Sequence, residues 1–179
     1  MKNQKEFNRA LSFVLKWEGF ISGEPPDKGG LTIWGISKKS WARQVVEMYD
    51  LIQKGKKPEA FEIAENIYYS NYWIGMDCDK LSFPENIVIF DMAVNMGKTR
   101  ARKTRMKWKY SWKDMLLQRL YDYSTFKQAK IYFRGWANRV LNLWNFILDE
   151  KEDEIERESV KSELELLGKF DILEKNNIM

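Results

Sequence analysis

The chain has 179 residues, 44% of them hydrophobic, with 30 basic and 26 acidic side chains, one cysteine and no histidine. That length suits one domain of ordinary size with a real core. Without histidine, and with Cys78 alone, the Ser-His-Asp and Cys-His nucleophiles, His-containing zinc motifs and an intrachain disulfide are all excluded, so a hydrolase of this composition relies on carboxyls and needs no metal or cofactor.

The chain reads as mainly helical. Phe7, Ala10, Leu11, Val14 and Trp17 recur at helical spacing, which predicts a first helix burying one face and ending at Glu18, with Gly19 as the stop. Charges flank its short apolar run and no small-residue cleavage site follows, so it reads as a mature helix and not a signal peptide. Gly23, Pro25, Pro26, Gly29 and Gly30 cannot continue a helix and predict a folded-back loop or small hairpin between Phe20 and Ile36. Such a loop can return Asp27 and Thr32 toward Glu18. Two carboxyls across a cleft, one protonated and one ionised, suit acid-catalysed cleavage of a glycosidic bond.

Ser37 or Ser40 then caps a helix through about Lys54, and Pro58 opens one to about Asn71. Ser82, Pro84 and Glu85 open another through Gly97. Ser111 starts a short helix, and Ser124 or Thr125 a long one past Trp144. No run approaches the roughly 18 to 20 apolar residues of a membrane span. The expected organisation is a domain over residues 1–148 and an acidic helical tail over 149–179.

Charge is unevenly divided. Residues 1–97 carry 12 basic and 13 acidic side chains, residues 98–139 carry 13 and 2, and residues 140–179 carry 5 and 11. The stretch KTRARKTRMKWKYSWK (98–113) interleaves Trp108, Tyr110 and Trp112 with cations. It reads either as a solvated face or as a surface for a polyanion, whether a wall polymer or nucleic acid.

The segment KWEGFISGEPPDKGGLTIWGIS (16–37) resembles the N-terminal signature of glycoside hydrolase family 108, in which a helix ends in Glu-Gly-Gly-Tyr, followed by Asn-Asp-Pro-x-Asp-Pro-Gly-Gly and Ala-Thr-x-Tyr-Gly-Ile. The matching residues are Glu18, Gly19, Pro25, Asp27, Gly29, Gly30, Thr32, Gly35 and Ile36. Phe20, Ile21, Gly23, Glu24 and Trp34 depart from it. YYSNYWIGMDCDKL (68–81), IVIFDMAVNMG (87–97) and FRGWANRVLNL (133–143) resemble further blocks of the family, including its Phe-Asp-x-Ala-Val-Asn-x-Gly and Gly-Trp-x-x-Arg helices. The family's Gly-Pro-x-Thr turn has no counterpart between Lys98 and Ser124.

The resemblance implies a lysozyme-like helical domain, with a small irregular or hairpin segment after the first helix, acting on the glycan strands of peptidoglycan. On that reading Glu18, partly withdrawn from water by Trp17 and other aromatics, has its proton affinity raised. It protonates the β-1,4 bridge between N-acetylmuramic acid and N-acetylglucosamine. Asp27 stays ionised to stabilise the transition state, or orients a water with Thr32. Roughly 5 Å between the carboxyls means retention and roughly 6.5 to 9.5 Å inversion.

Gly30, Trp34, Asn95 and Trp136 are the candidate substrate-binding residues, set against plainer readings. Asp27 can shape a turn through its own backbone, the tryptophans can be core aromatics, and Asn95 can satisfy backbone groups beside the cleft. The expected protein is a monomer made in the bacterial cytoplasm. It would reach the wall by another route, such as the holin hole used by phage endolysins. The rival readings are a noncatalytic wall-binding or virion protein of the same shape, and a nucleic-acid binder built on residues 98–113.

Overall fold

The computed structural model describes residues 2–23, 30–109 and 111–176, with side chains from Gln4 to Asp153. The chain divides into two compact units, residues 1–139 and residues 140–179. Seven α-helices and a small antiparallel sheet make up the described residues: α1 (Lys2–Leu15), β1 (Ile21–Ser22), β2 (Thr32–Ile33), β3 (Ile36–Ser37), α2 (Ala42–Gln53), α3 (Lys57–Ile67), α4 (Glu85–Met96), α5 (Lys98–Lys107), α6 (Trp112–Ser124) and α7 (Ala129–Asn176). A π-helical segment, Tyr68–Trp73, continues α3, and two 3-10 turns, Ile74–Met76 and Cys78–Lys80, follow it. The fold is mainly α and lysozyme-like, as expected. α7 gives its opening turns, through Arg139, to the first unit.

The centre of the first unit is α4. Eight consecutive residues from Asn86 to Ala93 are buried, which a helix does only when partners pack on every side. α1, α5, α6 and the π-helical segment all pack against it. α1 contributes the face read from the sequence: Phe7, Ala10, Leu11 and Val14 are each at most 4% exposed. Phe7 meets Tyr69, Trp73 and Phe90 edge to face, with ring centroids 5.0, 5.7 and 6.0 Å away. Edge-to-face pairs add to the large apolar area that each ring buries.

Several boundaries differ from expectation. α1 stops at Leu15 and closes with a tight turn, in which the amides of Lys16 and Trp17 donate to the carbonyls of Phe13 and Val14 at 3.2 and 2.9 Å. Glu18 therefore stands one turn beyond the helix. Neither Ser37 nor Ser40 caps α2; Trp41 holds that position without a side-chain bond, while the Ser37 hydroxyl accepts the Lys39 amide. Pro58 does open α3, but the helical path continues past Asn71, in π geometry, to Trp73. Pro84, not Ser82, precedes α4. Residues 98–107, read only as a charged stretch, form α5. Ser111 caps α6 by accepting the Asp114 amide, whereas α7 begins four residues beyond Thr125.

The sheet joins the expected irregular stretch into a meander, with Ile21 opposite Ile33, Thr32 opposite both Ser22 and Ser37, and Ile33 opposite Ile36. Trp34 and Gly35 form the two-residue connection between β2 and β3, with φ of +44° and +76°. Positive φ at both central residues is what a type I′ hairpin demands, because its twist matches that of the strands.

Replacing Phe7 with alanine removes one ring from the cluster over α4. It should cost about 3 to 5 kcal/mol, read as a lower urea midpoint at unchanged slope.

Candidate functional site

The site begins where α1 has ended. Gly19 and Phe20 lead from Glu18 into β1, so the start of the sheet fixes the direction of the glutamate. The hairpin then folds back, and Gly35 comes to lie directly against the carboxyl. A Cβ built on Gly35 would stand 2.7 Å from Glu18 Oε2 and 2.8 Å from the Tyr68 hydroxyl. Only a residue without a side chain lets the turn approach this closely, and its positive φ makes the same demand.

Tyr68, the first residue of the π-helical segment, donates its hydroxyl to the Trp34 carbonyl at 2.7 Å. Burial, with the nearby Glu18 charge adding to it, pushes this phenol far above its ordinary value. It stays protonated as the donor that ties the turn to α3. Tyr72 lies one π turn further on, with its ring centroid 5.9 Å from that of Tyr68. Its phenol is also raised, first by burial and then by Glu18, against a hydrogen bond from Trp41 that works the other way. π-helical turns are frequent at functional sites; this one sets two phenols beside one carboxyl.

On the other side Glu18 meets a guanidinium. Arg139 Nη1 donates to Glu18 Oε1 at 2.9 Å, with the two side chains 6% and 21% exposed. The rest of Arg139 belongs to Asp91 of α4: Nε and Nη2 donate to Asp91 Oδ1 at 3.0 and 2.7 Å. Arg119 of α6 holds Oδ2 of the same carboxylate. It also donates through Nε to the Tyr123 hydroxyl at 2.9 Å, and that hydroxyl donates to Asn95 Oδ1.

Asp91 and Arg119 are both fully buried. Burial works to raise the Asp91 carboxyl, but the attraction of Arg119 and Arg139, and their hydrogen bonds, prevail and hold it below the usual carboxylate range. For Arg139 burial favours loss of the proton, and Asp91 and Glu18 more than offset it. The set of four is balanced: two cations and two anions when Glu18 is ionised.

The sequence candidates are thus placed as follows. Glu18 is at the centre. Its carboxyl is held by Arg139, with the phenols of Tyr68 and Tyr72 nearby. Thr32 lies on β2, half-buried, with the buried Ile33 as its neighbour. Gly30 is exposed, with φ +84°, and faces Gly23 (φ +68°) so closely that a Cβ on Gly23 would fall 2.1 Å from the Gly30 carbonyl oxygen. The two glycines close the base of the segment that joins β1 to β2. Asp27 is on that segment and lies outside the described residues.

Trp34 is only 9% exposed and packs between Phe20 and Phe61, at 5.0 and 5.2 Å. Trp136 is half-buried, stacked on Tyr123 with centroids 5.0 Å apart and flanked by Phe126 and Tyr132. Asn95 is exposed and accepts a phenol, not a backbone group. The sequence reading missed Arg139, Asp91, Tyr68 and Tyr72 as members of the site, although each lies in a block quoted for the resemblance. Arg119 lies in none, and an arginine in a basic stretch gives no sign that it is buried. Among the described residues no group of three metal-ligating side chains comes together.

A carboxyl beside a glycine turn, half-shielded and braced by a buried ion cluster in a mainly helical unit, suits the acid chemistry of a lysozyme-like glycoside hydrolase. The glycosyl hydrolase 108 family model matches residues 11–97, a region that holds Glu18, Gly35, Tyr68 and Asp91. The chain's fold is similar to the solved structure of Brucella abortus SagA, at TM-score 0.60 and 22% identity, over 82% of this chain and 95% of that one. No curated protein matches significantly in sequence.

Two outcomes test this geometry. The Asp91 pKa is lowered on folding, so its contribution is complete above the unfolded value of about 4 and is lost as pH falls through the folded one. Acid titration of stability should show this loss in the native chain and not in Asp91→Asn, which takes the paired carboxylate from buried Arg119 and leaves Arg139 with Glu18, and should cost about 3 to 5 kcal/mol at neutral pH. Gly35→Ala puts a methyl against Glu18 Oε2 in a disfavoured backbone conformation. It should lower stability by about 1 to 3 kcal/mol and activity by more than that loss explains, measured on the folded fraction.

Proposed function

We propose that the protein is an N-acetylmuramidase, cleaving the β-1,4 bond between N-acetylmuramic acid and N-acetylglucosamine in peptidoglycan, with Glu18 as the general acid. The observation that carries this reading is the asymmetric setting of the Glu18 carboxyl. Oε1 is fixed by Arg139, while Oε2 lies beside the Gly35 turn, and to Oε2 we assign the proton that is delivered. Arg139 keeps two hydrogen bonds to Asp91. Protonation of Glu18 therefore does not leave Arg139 without a counterion, and the acid can cycle without dismantling its support.

Proton delivery to the bridging oxygen lets the bond break with an oxocarbenium-like transition state, which needs a second, ionised group. We assign that role to Asp27, with Thr32 orienting the water. Gly23 and Gly30 form the narrow base of the segment that bears Asp27. We assign Trp136 to sugar contact, with Tyr123 stacked on it and Asn95 accepting the Tyr123 hydroxyl, while Trp34 shapes the turn that carries Gly35. The substrate reading rests on the family match and the lysozyme-like fold. We further propose a phage endolysin role, with synthesis in the host cytoplasm, release to the wall through a holin hole, and action as a monomer.

Glu18→Gln keeps size and hydrogen bonding and removes the proton. It should fold as the native protein does while clearing purified peptidoglycan at least a hundredfold more slowly. Mass analysis of fragments from defined peptidoglycan should find new reducing ends on N-acetylmuramic acid. Near-normal clearing by the variant removes Glu18 from the mechanism, and a different reducing end removes the muramidase assignment.

A further inference from the structure

α5 holds the densest positive charge of the described residues, and the catalytic reading uses none of it. From Lys98 to Lys113 there are eight cations and no acid. The helix turns Ala101 and Thr104 to the core. Opposite them, at the crest of the exposed face, stands Met106, which is 82% exposed. At 3.6 residues per turn, Lys103 and Lys107 fall on one flank of that crest and Arg102 and Arg105 on the other. A long apolar side chain is thus displayed on a convex ridge with cations on both sides.

Beside the ridge runs an open groove of about 470 Å³, lined by Met76, Asp77, Arg102, Arg105, Met106 and Lys109. Its arginines are held in place: Arg102 Nη2 donates to the Gly75 carbonyl at 2.9 Å and Arg105 Nη1 to that of Met76 at 3.2 Å. The guanidiniums are oriented by one donor each and keep others for a ligand. Asp77, the acid on the rim, is tied to Lys80 at 2.7 Å.

We propose that this face of α5 docks on an anionic phospholipid bilayer, with phosphate headgroups against the arginines and lysines and Met106 inserted among them. The partner is chosen by the combination of features. Cations alone fit any polyanion, but an exposed methionine at the summit gains nothing from a hydrated phosphate polymer. At a bilayer surface it leaves water while its flanking cations meet headgroups in a plane. Among the described residues no helix is long and apolar enough to cross a membrane, so the contact is peripheral. It would hold the enzyme at a membrane next to the wall.

The test is co-sedimentation of the full chain with vesicles of phosphatidylglycerol and phosphatidylcholine, against vesicles of phosphatidylcholine alone. Binding should require the anionic lipid and weaken with salt. Each surface cation contributes about fivefold, so Lys103→Gln with Lys107→Gln should weaken binding at least tenfold, and Met106→Ser should weaken it several-fold at unchanged circular dichroism. Glu18→Gln should bind vesicles like the native chain, so loss of catalysis and loss of docking are told apart. Equal sedimentation with both lipids overturns the proposal. So does unchanged vesicle binding by Met106→Ser together with equally strong binding to duplex DNA, since the face would then read charge alone.

Discussion

The carboxylate of Asp91, buried in the middle of α4, is the constraint on which the rest of the first unit depends. A lone charge at that depth would cost several kcal/mol. Its two guanidinium partners come from different segments of the first unit, Arg119 from α6 and Arg139 from the opening turns of α7, so satisfying Asp91 also ties α6 and those opening turns to α4. One anion cannot balance two cations. Glu18 supplies the other anion from the turn after α1, and the deficit in the core is met by the residue placed at the site. The geometry of the candidate site and the electrostatics of the core are thus a single system, spanning 121 residues of sequence between Glu18 and Arg139.

The hairpin is tied into the same system from the opposite side. Tyr68 donates to the Trp34 carbonyl and so anchors the turn whose next residue, Gly35, lies against Glu18. Because that phenol is held protonated by burial, the tie does not loosen near neutral pH. The π-helical path matters here. It carries α3 into a segment that places Tyr68 and Tyr72 on the Glu18 side while Tyr69 and Trp73 meet Phe7. The same six residues serve the core and the site.

How much of this is legible in the sequence follows from the range of each interaction. The α1 face from Phe7 to Val14, the proline at the start of α3 and the Ser111 cap are local patterns, and each is found where it was read; of the glycine-rich break, Gly23 and Gly30 are found outside any helix with positive φ. Glu18 was legible because Gly19, Gly30, Thr32 and Gly35 surround it in order. Arg139 and Asp91 were visible as parts of two quoted blocks, but nothing in either block states that they meet. Their pairing is tertiary, between residues 48 apart. Ser37 and Ser40 misled because a serine before a helix is only a candidate cap until the backbone decides, and here Trp41 takes the position. The ion pair of Glu18 with Arg139 was not read, because spacing cannot show which distant group comes to lie beside a carboxyl.

The basic middle of the chain divides by burial into two kinds of charge with different physics. Arg119 and Arg139 face partners at hydrogen-bond distance away from water, where salt screens little. Arg102, Lys103 and Lys107 are exposed, and their long-range attraction fades over about 8 Å at physiological ionic strength. A single positive balance in the sequence therefore does two separable things. The buried part is neutralised and holds an acid in place, and only the surface part can steer the protein toward an anionic partner. Salt should act on where the enzyme resides far more than on how Glu18 is held, because the cations that could move it are exposed on α5 and the cations that brace the acid are buried against Asp91.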